Sequence, residues 1–284
     1  MSETSPFPVL KFPAIQLLFL TGDLPTPGKE AISDQIQAVE PVEKGRVTVA
    51  WDIQDRRRCL GKIHFDDHEI SVAGLPAPLP EVVINHTIHT SHWQPQIKTA
   101  LRNHLSHLGL VYMGNNPDPV EKMIALYKAA ACFKTENLLG VVNEGAWTAH
   151  PSADFLDPAR IRNYREEIPF IIWMGYVKFF EDKEHYWLAT RGHHIFDVPD
   201  LAHFMLPGDE NDAIINQFIN IFYYIYEEDA EVTTGDTLAI KDTETVMKFA
   251  EVPEDADFLM GPIGTLVIET VPPADMKNGT LSQE

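Results

Sequence analysis

Histidine is the side chain most often found moving protons near neutral pH and among the common ligands of transition metals. Five of the chain's 12 histidines, His86, His89, His92, His104 and His107, fall within 22 residues. The spacing of three between His104 and His107 predicts neighbouring faces of one helix, as a ligand pair needs, with His89, or else His86 or His92, as the third ligand. Against that reading, no HExxH pattern accompanies the pair. His86 to His92 follow a proline-rich loop as extended chain, where alternation sends His86 and His89 to opposite sides. His104 also shares an apolar stripe with Leu101 and Leu108, where a hydrogen-bonded core histidine is the commoner occupant.

A second group is Arg191-Gly192-His193-His194, close to Asp197 and Asp200. A base and an orienting carboxylate could assemble there. Adjacent histidines on a strand diverge, however, and no GxSxG or Cys-His pattern supplies a nucleophile, so the spacing favours a turn-stabilising role. Glu166-Glu167 and Glu227-Glu228-Asp229 offer paired carboxylates of the kind glycoside chemistry uses, but consecutive anions usually form a solvated face. The stretch Gly22 to Lys29 lies between a predicted strand and helix, as a phosphate loop would. It has one residue too many between its glycines, two prolines without N–H groups, an anion at Asp23, and Glu30 where Ser or Thr would hold magnesium. It reads as an ordinary turn.

The aromatics Trp173, Tyr176, Phe179, Phe180, Tyr186 and Trp187 crowd one predicted hairpin more densely than a single sheet face needs. Exposed Trp and Tyr beside anions suit protein binding. Trp173, Tyr176, Tyr186 and Trp187, with Glu227, Glu228 and Asp229, are the expected binding residues, and filling of the core is the alternative.

These residues need elements to hold them. Ile15 to Leu20 is a short apolar run that predicts a buried strand, and Thr26-Pro27 opens a helix reaching Val39. Alternation at residues 47–72 gives hairpin strands on either side of the basic turn Asp55 to Arg58. Leu75 to Pro80 holds three prolines and predicts a loop. Gln94-Pro95 starts a helix expected to run to Leu108, with a strand at Leu110 to Met113. Asp118-Pro119-Val120-Glu121 reads as a cap, a first-turn proline and a box-closing glutamate. A strand at Leu138 to Val142 and a helix from Asp157-Pro158 follow, then a hairpin of Pro169 to Phe179 with His185 to Thr190. The strongest helical pattern is Asn211 to Tyr226, and strands at 237–240, 246–250 and 265–271 complete the order. Each half contains β-α-β-β-α-β, so the expected class is α+β: two ferredoxin-like sandwiches in tandem, antiparallel sheets backed by helices. The expected limits are a tail at 1–14, units at 15–114 and 115–274, and a second tail at 275–284.

Composition narrows the function. Lys plus Arg is 22 and Asp plus Glu is 42, a net charge of −20. Residues 227–284 alone carry 14 acids against three lysines. Such a surface repels phosphate backbones and anionic lipid heads, which argues against nucleic-acid and membrane partners and for a basic protein. Cys59 and Cys132 cannot form a disulfide framework or a cysteine zinc site, and they suit a reducing cytoplasm. The opening MSETSPFPVLKF lacks the pattern of a cleaved leader, and no window reaches the roughly 18 apolar residues of a membrane span.

The strand at 15–20, Ala73 to Pro80, Trp93-Gln94-Pro95, the His104 and His107 segment, Asp118 to Glu121 and Thr190-Arg191-Gly192-His193 together resemble a bacterial family called domain of unknown function 4261, over about residues 15 to 271. That resemblance brings no catalytic residues and no cofactor. It implies a binding role, because family members resemble proteins found near secretion and toxin loci. The expectation is a cytoplasmic, non-enzymatic protein-binding module, an immunity or adaptor protein for a toxin or secreted effector. The alternative is a metal-dependent hydrolase built on the histidine group.

Overall fold

Ala14–Phe19 forms the first strand, β1, and Ile15, Leu17, Leu18 and Phe19 are all fully buried, so both faces of the strand are covered. Both edges are used as well. In the computed structural model, which describes residues 12–42, 47–239 and 246–271, β1 pairs antiparallel with β5 (Ser106–Tyr112) on one side and β6 (Leu138–Asn143) on the other. With β2 (Thr48–Gln54), β3 (Cys59–Phe65), β4 (His68–Leu75) and β7 (Thr148–Pro151), this makes an antiparallel sheet of seven strands in the order β2-β3-β4-β5-β1-β6-β7.

Helices cover this sheet. Leu18, Val142 and Ala149 pack against Leu79, Val83, Ile84, Ile88 and Leu101. Those partners come from the proline loop, from α2 (Glu81–Ile84), from the π turn Asn85–His89 that continues it, and from α3 (Pro95–Arg102). Helix α4 (Pro119–Ala131) packs on α1 (Lys29–Val39) and on β1, β4 and β5. Asp118 caps α4 by accepting from the Val120 N–H at 2.8 Å, an arrangement worth about 1 kcal/mol. The short helices α5 (Ser152–Phe155), α6 (Pro158–Asn163) and α7 (Phe170–Trp173) close the unit.

The second unit is built on β8 (Gly175–Phe180), β9 (Tyr186–Arg191), β10 (Asp200–Met205), α8 (Asn211–Glu228), β11 (Thr237–Ala239), β12 (Val246–Ala250) and β13 (Thr265–Val271). Its strand order is β11-β12-β13-β10-β9-β8, antiparallel except for the parallel pair β10 and β13. Ile214, Phe218 and Ile221 of α8 fill one face with Leu188, Leu201, Met205, Met247, Phe249 and Ile268. On the other face Trp187, Ala189, Ala202 and Val267 meet Ala256 and Leu259 from the segment before β13.

The class is α+β with antiparallel sheets, but the element order does not divide into two β-α-β-β-α-β units. The basic turn Asp55 to Arg58 joins two strands of a three-stranded meander, β5 enters between that meander and β1, and the second unit has three strands on each side of α8. The boundary expected at residues 114 and 115 is also displaced, because the compact units meet at Trp173 and Met174. A chain ending its first unit near residue 114 would leave the second edge of β1 bare. That edge is a row of unpaired N–H and C=O groups, and β6 satisfies it. Most of the expected tails, 1–11 and 275–284, lie outside the described residues. Among the described residues no helix is long and apolar enough to cross a membrane.

Candidate functional site

The histidine group is not assembled. Helix α3 stops at Arg102 and His107 lies on β5, so the spacing of three is not a helical spacing. His104 is buried in the connection with both ring nitrogens engaged: Nε2 accepts from the Leu79 N–H at 2.8 Å, and Nδ1 lies 2.8 Å from the Leu101 carbonyl oxygen. A carbonyl can only accept, so Nδ1 carries the proton and no lone pair remains for a metal. Burial pushes its pKa down, which keeps the ring neutral. His107 Nδ1 lies 2.7 Å from the Ala77 oxygen. His86 and His89 sit on the π turn rather than on extended chain, with His86 against Trp147 at 4.7 Å and His89 exposed. Among the described residues no group of three or more His, Cys, Asp or Glu side chains is placed to hold a metal ion.

The aromatic group is divided between cores except for Phe180, which is 67% exposed. Trp173 is fully buried on α7, 5.5 Å from Tyr164 and 5.9 Å from Tyr127. Residues 169–173 therefore belong to a helical turn of the first unit and not to the hairpin. Tyr127 is itself bonded to His150, its hydroxyl 2.7 Å from Nε2. His150 Nδ1 faces the Pro151 oxygen at 3.0 Å, so Nδ1 is protonated and Tyr127 donates. Trp187 is buried, with Nε1 donating to Glu181 at 3.0 Å. Tyr176 and Tyr186 are half-buried against the α8 core, and Tyr186 donates to Asn211 at 2.8 Å. The expected exposed aromatic surface is thus corrected: Trp173 and Trp187 fill cores because both strand and helix leave them facing packed layers. Glu227, Glu228 and Asp229 are exposed at the end of α8.

The Arg191 to Asp200 segment does come together. Strand β9 ends at Arg191, Gly192 turns the chain at φ +104°, His193–Phe196 makes a 3₁₀ turn, and β10 begins at Asp200. Asp200 is buried. Its Oδ1 accepts from Thr190 Oγ1 and from the His193 N–H, both at 3.3 Å. Its Oδ2 has no hydrogen-bond partner among the described residues and lies 3.9 Å from Arg191 Nη1. Burial pushes the Asp200 carboxyl up to about 6, with Arg191 opposing the rise. Arg191 donates from Nη1 to the Thr190 oxygen at 2.8 Å and from Nη2 to the Phe258 oxygen at 2.7 Å, with its guanidinium 5.4 Å from the Phe179 ring. Gly261 lies over Oδ2 so closely that a Cβ there would collide with the carboxylate.

A carboxyl that titrates near neutrality invites a catalytic reading. The pair, however, is sealed: the Arg191 side chain is 3% exposed and that of Asp200 0%. Thr190 Oγ1, the hydroxyl beside the carboxylate, is itself buried and accepts from the Leu201 N–H at 2.8 Å, and His193 faces inward with Nδ1 3.1 Å from the Pro199 oxygen. What the geometry can do is hold. Arg191 reaches from β9 to the segment before β13, and the Asp200 N–H donates to the Gly264 oxygen at 3.1 Å. The segment held this way, residues 257–264, was not singled out by any periodic pattern. The available signal was a cluster of large apolar residues between Pro253 and Gly264 with neither helical nor strand spacing.

No family model, no curated protein and no solved structure matches the chain.

Proposed function

We propose that the chain is a non-enzymatic protein-binding module whose partner is a basic protein, in the manner of an immunity or adaptor protein that captures a toxin or secreted effector. The observation carrying this reading is the distribution of charge over the two units. Residues 174–284 hold 22 acidic and 6 basic residues, a net −16 of the chain's −20. A field of one sign on a folded unit raises the rate at which an oppositely charged protein meets it. A cytoplasmic setting fits the two free thiols, Cys59 and Cys132.

The test is capture of partners from the native cell, followed by association kinetics at several salt concentrations. A basic partner is expected, with an on-rate falling at least about tenfold as salt shortens the Debye length below roughly 8 Å. A partner with an acidic contact surface, or an on-rate indifferent to salt, would sink the proposal.

A further inference from the structure

We infer that the loop at 257–264 is a docking surface for an apolar patch flanked by lysine or arginine on a partner protein; the inference rests on the protein-binding reading and adds where binding takes place. The loop turns one large apolar side chain inward and several outward. Leu259 is 0% exposed in the core of the second unit, whereas Phe258 is 43% exposed, Met260 50% and Ile263 51%. Isolated apolar side chains on a surface are ordinary, but three within six residues of one loop are a local concentration.

The loop is also tied down from below. Arg191 holds the Phe258 oxygen, Thr265 Oγ1 donates to the Leu259 oxygen at 2.7 Å and accepts from the Gly261 N–H at 2.8 Å, and the Asp200 N–H holds Gly264. The Phe258 ring rests 5.1 Å from Phe179. Apolar groups held in place before binding lose little entropy when a partner arrives, and Phe and Met are enriched at protein interfaces.

Charge selects the occupant. Glu251, Glu254, Asp255 and Asp257 precede the apolar residues and are exposed, and no Lys, Arg or His occurs between Lys248 and Lys277. A second copy of the chain would bring acids against acids, and anionic lipid would be repelled. A basic rim around an apolar centre complements the surface.

The full-length chain is to be screened with a phage-displayed library of random peptides. Enriched binders are expected to carry Lys or Arg beside Leu, Phe or Trp, and to lose at least tenfold in affinity for the M260D/I263D chain, for the milder M260S/I263S chain and for the E254K/D257K chain. Binders without basic residues, binders that hold the folded variants equally well, an absence of enrichment, or dimerisation through the loop would each overturn the surface. A cellular basic partner that binds M260D/I263D unchanged would remove the surface and leave the proposed function standing. Library binders of the expected class with no basic partner in the cell would do the reverse.

Discussion

Replacing Arg191 by methionine keeps most of the side chain's volume and removes its charge and donors. Two hydrogen bonds to carbonyl oxygens disappear, at Thr190 and Phe258, each worth about 1.5–3 kcal/mol for a charged donor. A further effect depends on pH. The Asp200 carboxyl is raised from 3.8 to about 6 by burial, so its contribution to stability is fully present below pH 3.8 and is lost as pH rises through about 6. Arg191 is the cation that limits the rise, and without it the carboxyl stays protonated at neutral pH. The unfolded chain ionises in either protein. At about pH 7 the variant therefore forgoes an ionisation that the original protein recovers, a difference of about 1.4 kcal/mol for one pH unit above 6. At about pH 5 both proteins hold Asp200 protonated and this difference vanishes. His193 titrates alike in both, and His194, which Arg191 also pushes down, adds to the same trend. Urea unfolding of R191M and the original chain at the two pH values measures it. The loss should be about 1–1.5 kcal/mol larger at the higher pH, and the Asp200 share of that difference should disappear when both proteins carry Asp200→Asn, leaving only the smaller His194 share. An equal loss at both pH values would refute the coupling.

His150 is buried with its pKa pushed down to about 4 from 6.5, so the stability it contributes is present above pH 6.5 and is lost as pH falls through about 4. The total is about 3 kcal/mol; unfolding in urea across that window should show it, and the His150→Gln chain should be flatter by that amount. His104→Ala leaves the Leu79 N–H buried without its acceptor, which should cost about 1–3 kcal/mol in urea unfolding. Elemental analysis of the purified original chain should find no stoichiometric zinc; zinc bound one to one and lost in His104→Ala would restore the metal-site reading.

Elements whose signals are local were readable in the residues. Asp118-Pro119 marks the start of α4, the pattern from Asn211 runs the length of α8, and Glu181 to Lys183 sits in the hairpin turn between β8 and β9. Errors arose where two periods coincide. Leu101, Leu105 and Leu108 fit a helical stripe, yet Leu105 is 55% exposed and Ser106 to Tyr112 alternate as a strand. His86 to His92 after a proline-rich loop read as extended chain, although Glu81 begins a helix with Pro80 just before it that continues into the π turn Asn85–His89. Strand order was the least legible, because the β10 and β13 pairing joins residues some sixty positions apart through contacts that no local window contains. At the candidate site, Arg191 and Asp200 could be named as neighbours across a turn, whereas the Phe258 oxygen that Arg191 holds could not.

The place of β13 in the second sheet bears on how the protein is made. This strand is the last in the described chain and yet lies in the middle of the sheet, between β12 and β10. The first unit contains all its strands by Pro151 and can finish folding on the ribosome while the rest is still being translated. The second cannot close until Val271 has emerged, roughly 10 s later at about 10 residues per second. Until then the edges of β10 and β12 are bare, and a ribosome stalled before Val271 has emerged presents a nascent chain with open strand edges to chaperones and proteases.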